Sequence, residues 1–481
     1  MNPADQGELR VLSPGDLDAP ARVVEWSLER ARLAVARARQ AQPAWASLPS
    51  EARLELLKRL RDRFVSHAAD FARLLGIEVG KPLWEGAEEA RLLASKVDTT
   101  IDQGLRLVEP HRPQGFPGSD SEWRWRPHGV MVVLGPFNFP VHLPNGHVIP
   151  ALAVGNSVIF KPSELTPLLG ALYAQCFAEA GFPQNVFQVI QGERTVGAYL
   201  SSEAEVDGVL FTGSTQVGAA IAEANAGKPG KILALELGGK NAALVFADAD
   251  LDRAAYQIAY GAYVTAGQRC SSTSRCLVEH SALDRMQLKL AELARRLTIG
   301  HFEDPGTFAG PLISAPARER FLKALRDTGA EAIVAPGESE VTGKRGHYVR
   351  PSLHRVAARA RGNQYQEQEL FGPDIALYTF EDEGQAVELA NDTSYGLCAS
   401  VFTSDRARFE RLSGTIRAGV INWNSPTVGA SGKLPFGGIG NSGNHRPAGI
   451  FSSLYCAWPA AVSFGLTGPT PDKPVPGLPS V

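Results

Sequence analysis

The stretch from Val206 to Gly218, V-D-G-V-L-F-T-G-S-T-Q-V-G, decides the fold. An apolar run ends in Gly213, Ser214 and Thr215, and a helical pattern starts at once with Val217, Ala220 and Ile221. This predicts a buried strand, a tight turn and a helix. The same unit recurs upstream. V-M-V-V-L-G-P, from Val130, precedes a helix predicted over His142 to Ala153, and N-S-V-I-F-K-P, from Asn156, precedes one over Leu168 to Ala180. N-V-F-Q-V-I, from Asn185, adds a further strand. Continuous β-branched runs separated by helices indicate a parallel sheet covered on both faces. A second α/β series runs from near Leu237 to near Asn422.

Outside these series the text changes. From about Ala21 to Lys96 it reads as helices, with Val24, Trp26, Leu28, Leu33 and Val35 near helical spacing and Arg and Glu opposite. His111 to Glu122, H-R-P-Q-G-F-P-G-S-D-S-E, reads as a loop. Trp123 and Trp125 then alternate with Arg124 and Arg126, a strand that Pro127 stops. The tail from Gly468 to Val481 is too rich in proline for regular structure and is expected to lie over the surface or a neighbour. The architecture is α/β: two lobes and a small strand-bearing appendage.

Bulk properties narrow the function. A hydrophobic fraction of 44%, a charged fraction of 21% and a net charge of −3 describe an ordinary soluble chain. No block of like charge invites nucleic acid or a lipid surface as partner. No apolar run approaches the roughly 20 residues that span a bilayer. M-N-P-A-D-Q-G-E-L-R has no apolar core of a secretory signal. Five scattered cysteines, Cys176, Cys270, Cys276, Cys398 and Cys456, argue against a disulfide framework and for a reducing cytoplasm. No metal-ligand spacing stands out.

Several stretches could carry chemistry, and each also has a plain structural reading. Gly213 lets backbone approach an anion, and Ser214 can cap the following helix beside free N–H groups that favour phosphate; as a bare pattern this is equally a strand–turn–helix junction. In F-K-P-S-E, Lys161 and Glu164 fall at the carboxyl edge of the sheet, where they could hold ribose hydroxyls or simply be solvated. In A-L-E-L-G-G-K-N, Glu236 is one acid in an apolar strand: either ion-paired, or a desolvated carboxylate suited to general-base work. Cys270, in V-T-A-G-Q-R-C-S-S-T-S, is a buried thiol or a nucleophile with small neighbours that admit a substrate. In L-G-P-F-N-F-P, Asn138 is a turn residue or a donor to an oxyanion.

Taken in order, G-P-F-N-F-P, F-K-P-S-E, F-T-G-S-T-x-x-G, E-L-G-G-K, G-Q-R-C, E-L-F-G-P and P-F-G-G resemble the NAD(P)-dependent aldehyde dehydrogenase superfamily from about Ala31 to Pro459. The resemblance implies Cys270 as nucleophile, Glu236 as general base and Asn138 as oxyanion donor together with the backbone N–H of Cys270. It implies Lys161 and Glu164 at the adenosine ribose, Gly213, Ser214 and Gly218 near the pyrophosphate, Glu369 at the nicotinamide ribose, and Phe371 and Phe137 at that end of the cofactor. Glu164 would repel a 2′-phosphate, so NAD is favoured while NADP stays possible. The implied fold is a Rossmann-type nucleotide domain (1–107 and 128–236), an α/β catalytic domain (237–450), and a β-strand oligomerisation arm with the tail (108–127 and 451–481). A homodimer or homotetramer is expected.

Two longer stretches, Arg126 to Leu152 and Ala418 to Pro447, are similar to N-succinylglutamate 5-semialdehyde dehydrogenases of arginine catabolism, with H-L-P-N-G-H and G-N-H-R-P the distinctive parts. Phe139, His142, Leu143 and Gly146 share one helical face, which should line the substrate tunnel. His142, Asn145 and Arg446 could then meet substrate carboxylates; alternatively His445 and Arg446 only brace a loop after P-F-G-G. Lys433, near the expected tunnel mouth, would also suit another acidic aldehyde such as glutamate semialdehyde. The alternatives kept open are a dehydrogenase of another acidic or general aldehyde, an acylating enzyme that passes its thioester to coenzyme A or phosphate, and a non-catalytic binding protein of this fold.

Overall fold

The structure, a computed structural model, describes residues 5–113, 120–464 and 476–477. The predicted tail therefore lies almost wholly outside the described residues, as does half of the loop before Trp123.

The helical reading of the N-terminus needs one correction. β1 (Gln6–Val11) and β2 (Arg22–Ser27) form an antiparallel hairpin. Val24, Trp26 and Leu28 stand two apart, which is strand spacing, and Trp26 packs with Leu9 and Leu28 in one apolar cluster. Helices begin only at α1 (Leu28–Ser47), where Ser27 Oγ accepts from Arg30 N at 3.3 Å as an N-cap. α2 (Ser50–Ser66), α3 (Ala68–Val79) and α4 (Leu83–Asp102) follow. β3 (Asp120–Pro127) then pairs antiparallel with the strand Ala457–Phe464, so the predicted Trp123–Arg126 strand forms half of a two-stranded ribbon.

The first sheet is built from β4 (Val130–Leu134), α5 (His142–Ala153), β5 (Ser157–Lys161), α6 (Pro167–Ala180), β6 (Phe187–Val189), α7 (Arg194–Ser202), β7 (Gly208–Thr212), α8 (Thr215–Ala224) and β8 (Ile232–Glu236). Its strands run parallel in the order β6-β5-β4-β7-β8. Every residue of β4, β5 and β7 is buried, which is why these strands read as unbroken apolar runs. Strand order reverses at β4, and a crevice for ligands opens at the carboxyl end of such a switch point. Leu134 pairs with Lys161 on one side and Phe211 on the other, and Thr212 pairs with Glu236. The Asn138 turn, Lys161, the Ser214 turn and Glu236 thus share one edge.

The chain crosses to a second sheet in the four residues Leu237 to Lys240. Its order is Glu331–Val334, Ser352–Arg355, Asp374–Phe380, β10 (Thr273–Glu279), β9 (Asn241–Val245), Cys398–Phe402 and Val420–Trp423; all pairs are parallel except the first. Thr273 lies level with Asn241. The carboxyl edge of the first sheet therefore meets the amino edge of the second, and Cys270 lies in the connection into β10. Among the described residues no helix is long and apolar enough to cross a membrane.

Candidate active site

Cys270 stands at the end of a strained approach. After α9 (Leu251–Tyr263), Thr265 (φ 57°), Ala266 (φ 52°) and Gly267 (φ 71°) occupy the left-handed region. For Thr and Ala this costs about 1–2 kcal/mol each. Gln268 holds the turn: its Nε2 donates to Thr265 O (3.1 Å) and Pro311 O (3.3 Å), and its Oε1 accepts from Ile313 N (2.9 Å). Gly267 is required there, since a Cβ would lie 2.3 Å from Gly372 O.

The nucleophile candidate differs from its sister thiols. Cys270 is half-buried, whereas Cys176, Cys276, Cys398 and Cys456 are buried. Asn241 clamps its loop: Nδ2 donates to Cys270 O at 2.7 Å and Ser272 O at 2.8 Å, while Oδ1 accepts from Cys398 N at 2.9 Å. The second glycine of E-L-G-G-K makes this approach possible, because a Cβ on Gly239 would lie 2.4 Å from Cys270 O. Ser271 to Ser274 complete the clamp. Thr427 Oγ1 donates to Ser271 O (2.6 Å) and bonds Thr273 Oγ1 (2.8 Å); Ser272 Oγ donates to Gly267 O (3.2 Å) and Ser274 Oγ to Asn241 O (3.3 Å). Asn138 reaches the loop from β4: its Nδ2 donates to Gln268 O at 2.8 Å.

Glu236 is 1% exposed, and among the described residues neither carboxylate oxygen has a hydrogen-bond partner. Among the described residues no cation is bonded to it. Arg446 acts on it only through space and spends Nη1 on Gly438 O at 2.9 Å. Burial pushes the Glu236 carboxyl well above the ordinary range, with Arg446 opposing. Burial likewise raises the Cys270 thiol, and the Glu236 and Glu369 carboxylates add to it.

On the other flank, Glu369 Oε1 accepts from Gly239 N at 3.0 Å, and burial raises its carboxyl to about 8. Phe371, held at φ 56°, meets Phe137 edge-to-face at 5.7 Å. Lys161 is 7% exposed; its Nζ donates to Pro162 O at 2.7 Å and lies 3.7 Å from Glu164. Burial lowers its pKa. Ser214 caps α8, accepting from Val217 N at 3.3 Å. Gly218 serves packing: a Cβ would lie 2.6 Å from the Leu237 side chain, so its place is against that residue and not in the open turn.

Comparison with known proteins meets this geometry. The sequence matches the aldehyde dehydrogenase family over residues 1–456. The chain belongs to that family. This aldehyde dehydrogenase is 40% identical over 429 residues to the N-succinylglutamate 5-semialdehyde dehydrogenase of Sphingopyxis alaskensis, covering 88% of each chain. It is 39% identical over 470 residues to that of Chromobacterium violaceum, covering 96% of this chain and 92% of the relative. Its fold superposes on a 1-pyrroline-5-carboxylate dehydrogenase from Thermus with bound NAD at a TM-score of 0.90, 28% identity, 96% of this chain and 90% of that one. It is an oxidoreductase that acts on small-molecule aldehydes with a nicotinamide cofactor.

The predicted tunnel face of the dehydrogenase divides. Phe139 and His142 are part-exposed and meet edge-to-face at 6.1 Å, and a Cβ on Gly146 would find nothing within 4 Å. Asn145 does not join them. It is 0% exposed, its Nδ2 donates to Leu93 O at 3.0 Å and its Oδ1 accepts from Tyr173 OH at 2.7 Å. At six residues from Phe139 it lies well round the helix, facing the core. Arg446 (φ 52°) donates from Nη1 to Gly438 O at 2.9 Å in the P-F-G-G turn, and Lys433 is exposed.

Three residues of this aldehyde dehydrogenase escaped the sequence reading. Asn241 is the clamp above, although it closes the E-L-G-G-K-N motif. Lys240, buried, donates from Nζ to Tyr365 O and Gln368 O, both at 2.8 Å, and so ties down the segment that ends in Glu369. Arg269, next to Cys270, lies with its guanidinium over the Phe139 ring at 4.8 Å.

Proposed function

We propose that this dehydrogenase oxidises N-succinylglutamate 5-semialdehyde to N-succinylglutamate through a thioester on Cys270, with Glu236 as the hydrolytic base. The observation that carries the reading is the Glu236 carboxylate, buried and without a hydrogen-bond partner among the described residues, within electrostatic reach of a half-buried cysteine. The substrate is supported by the names of relatives at about 40% identity over most of the chain.

The Cys270 thiol gives up its proton to solvent water, and the sulfur adds to the aldehyde carbon. The second N–H of the Asn138 amide and the backbone N–H of Cys270 receive the developing oxyanion. The nicotinamide ring, when bound, supplies the acceptor for the hydride that leaves this carbon. Glu236 then removes a proton from water, hydroxide adds to the thioester carbonyl, the C–S bond breaks, and the carboxylic acid departs. An acylating enzyme would have no use for this base.

The residues present fit a dinucleotide. Among the described residues the nearly buried Lys161 has a carbonyl and the distant Glu164 to bond, which leaves donors for ribose hydroxyls. The capped N-terminus of α8 offers N–H groups to a pyrophosphate, and Val217 on its first turn is 47% exposed. Glu369 and Phe371 hold the nicotinamide end. Glu164 favours NAD over NADP. We assign 1–107 and 128–236 to nucleotide binding, 237–450 to catalysis, and 108–127 with 451–481 to an arm for a cytoplasmic homodimer or homotetramer. The ribbon's exposed Trp123, Trp458 and Phe464 support such an interface.

A steady-state assay over a panel of aldehydes tests the reading. The highest kcat/KM is expected with N-succinylglutamate 5-semialdehyde; a higher value for glutamate semialdehyde overturns the substrate, and acyl-coenzyme A as product overturns the hydrolytic step.

A further inference from the structure

Three buried or part-buried cations crowd the tunnel face, and their counter-ions do not balance them. Lys81 Nζ lies 2.7 Å from Glu89 and 3.7 Å from Glu85. Arg269 Nη2 donates to the same Glu85 at 3.0 Å, and its Nε donates to Thr265 Oγ1 at 2.6 Å. Among the described residues Lys96 bonds neutral partners, Gly449 O at 2.8 Å and Ser452 Oγ at 2.7 Å. All three cations act through space on His142, whose buried Nδ1 has no hydrogen-bond partner among the described residues. Glu88, which also faces His142, is paired with Arg91 at 2.7 Å. Both Lys81 and Arg269 lie over the Phe139 ring, 3.4 Å and 4.8 Å from its centroid. The cation in excess of the two carboxylates is Lys96, whose pKa burial lowers to about 8, and a bound anion would favour its charged form.

Resting on the proposed oxidation at Cys270, we infer that Arg269 is a specificity-determining residue that takes a carboxylate of the substrate. Its Nε and Nη2 are engaged, which fixes the guanidinium plane, while Nη1 has no partner among the described residues and the side chain keeps 12% of its surface open. The ring it lies over belongs to the face that Gly146 leaves open. Position in the chain adds a geometric consequence. A carboxylate on the residue next to Cys270 places the far end of an extended aldehyde at a fixed distance from the reacting sulfur. The site thus selects chain length as well as charge.

The test compares wild type with Arg269→Gln on N-succinylglutamate 5-semialdehyde and on pentanal, with glutarate as a competitive inhibitor. In the variant, KM for the anionic aldehyde should rise about 10- to 150-fold, glutarate inhibition should be lost, and the constants for pentanal should hold. An equal loss on pentanal would show that Arg269 only braces the cysteine loop, and an unchanged KM for the anionic aldehyde would show that it does not touch substrate; either overturns the inference. If Arg269→Gln does not fold, the double variant Arg269→Gln, Glu85→Gln removes the carboxylate that loses its nearer cation and keeps only Lys81 at 3.7 Å, and the same comparison is made. Should wild type show no preference for anionic aldehydes, the acidic-substrate reading fails. Glutarate then decides Arg269 alone: equal inhibition of both proteins overturns its role, and loss in the variant supports it.

Discussion

Asn138 Nδ2 donates to the backbone carbonyl of Gln268 at 2.8 Å, two residues before Cys270. One amide hydrogen therefore fastens the cysteine loop to the end of β4, and the other is the one our proposal gives to the oxyanion. The same bond aligns the amide, so the donor is in place before substrate arrives. Asn138→Ala is expected to lower kcat about 10²- to 10³-fold. Asn138→Asp should be worse, because it replaces a donor with a charge that opposes the oxyanion. Single-turnover reduction of the cofactor measures both.

Removing the sulfur separates binding from chemistry. Cys270→Ala should reduce turnover by ~10³-fold or more, while cofactor affinity measured by fluorescence titration stays as in wild type. Retained turnover would show that another group carries the thioester.

Lys240 acts at a distance from the reacting atoms. Its amine satisfies two carbonyls, Tyr365 O and Gln368 O, and burial lowers its pKa to about 7. Lys240→Met leaves both carbonyls without a donor, at a cost of about 2–4 kcal/mol in stability. The segment it frees carries Glu369, so KM for the cofactor should rise more than KM for the aldehyde. Thermal unfolding and the two KM values check the pair of effects.

Glu164 lies at the edge of β5 with 48% of its side chain exposed, so solvent screens its charge. Glu164→Gln should shift the ratio of kcat/KM for NADP over NAD upward by only about 3- to 10-fold. A drop in that ratio would place the 2′-position elsewhere.

What the sequence made legible follows from how each element is buried. β4, β5 and β7 are covered on both faces, so their apolar runs could be read without a partner in view. α5 runs over His142–Ala153 as predicted. β2 failed because Val24, Trp26 and Leu28 satisfy a period of two while neighbouring apolar residues satisfy a helix, and its partner β1 is largely polar. The site residues divide in the same way. Motif glycines such as Gly239 are legible, since close backbone approach has few other solutions. The roles of Lys240, Asn241 and Arg269 are not. All three stand in motifs quoted above, yet each role is defined by backbone or carboxylate partners as far as 184 residues away. Asn145 shows the converse: a polar residue in a distinctive motif whose helical angle points it into the core.

The pH behaviour of Glu236 ties stability to function. Its carboxyl is raised well above the ordinary range by burial, whereas in the unfolded chain it titrates near 4.3. Between these two values the unfolded state has lost the proton and the native state keeps it. Stability from this group is therefore full below about pH 4.3 and falls as pH rises towards the folded value. Catalysis by the proposed base would run the other way, because only the carboxylate can take a proton from water. In wild type, kcat should climb with pH wherever thioester hydrolysis limits the rate. In Glu236→Gln that climb should vanish, hydrolysis should slow about 10²- to 10⁴-fold, and a stopped-flow burst of one reduced cofactor per site should persist. Gln is neutral at every pH, so the melting temperature of Glu236→Gln should exceed that of wild type by a margin that grows from pH 5 to pH 9. A margin that shrinks over that range would mean that Glu236 is ionised and compensated in the native protein, and the base would have to be sought elsewhere.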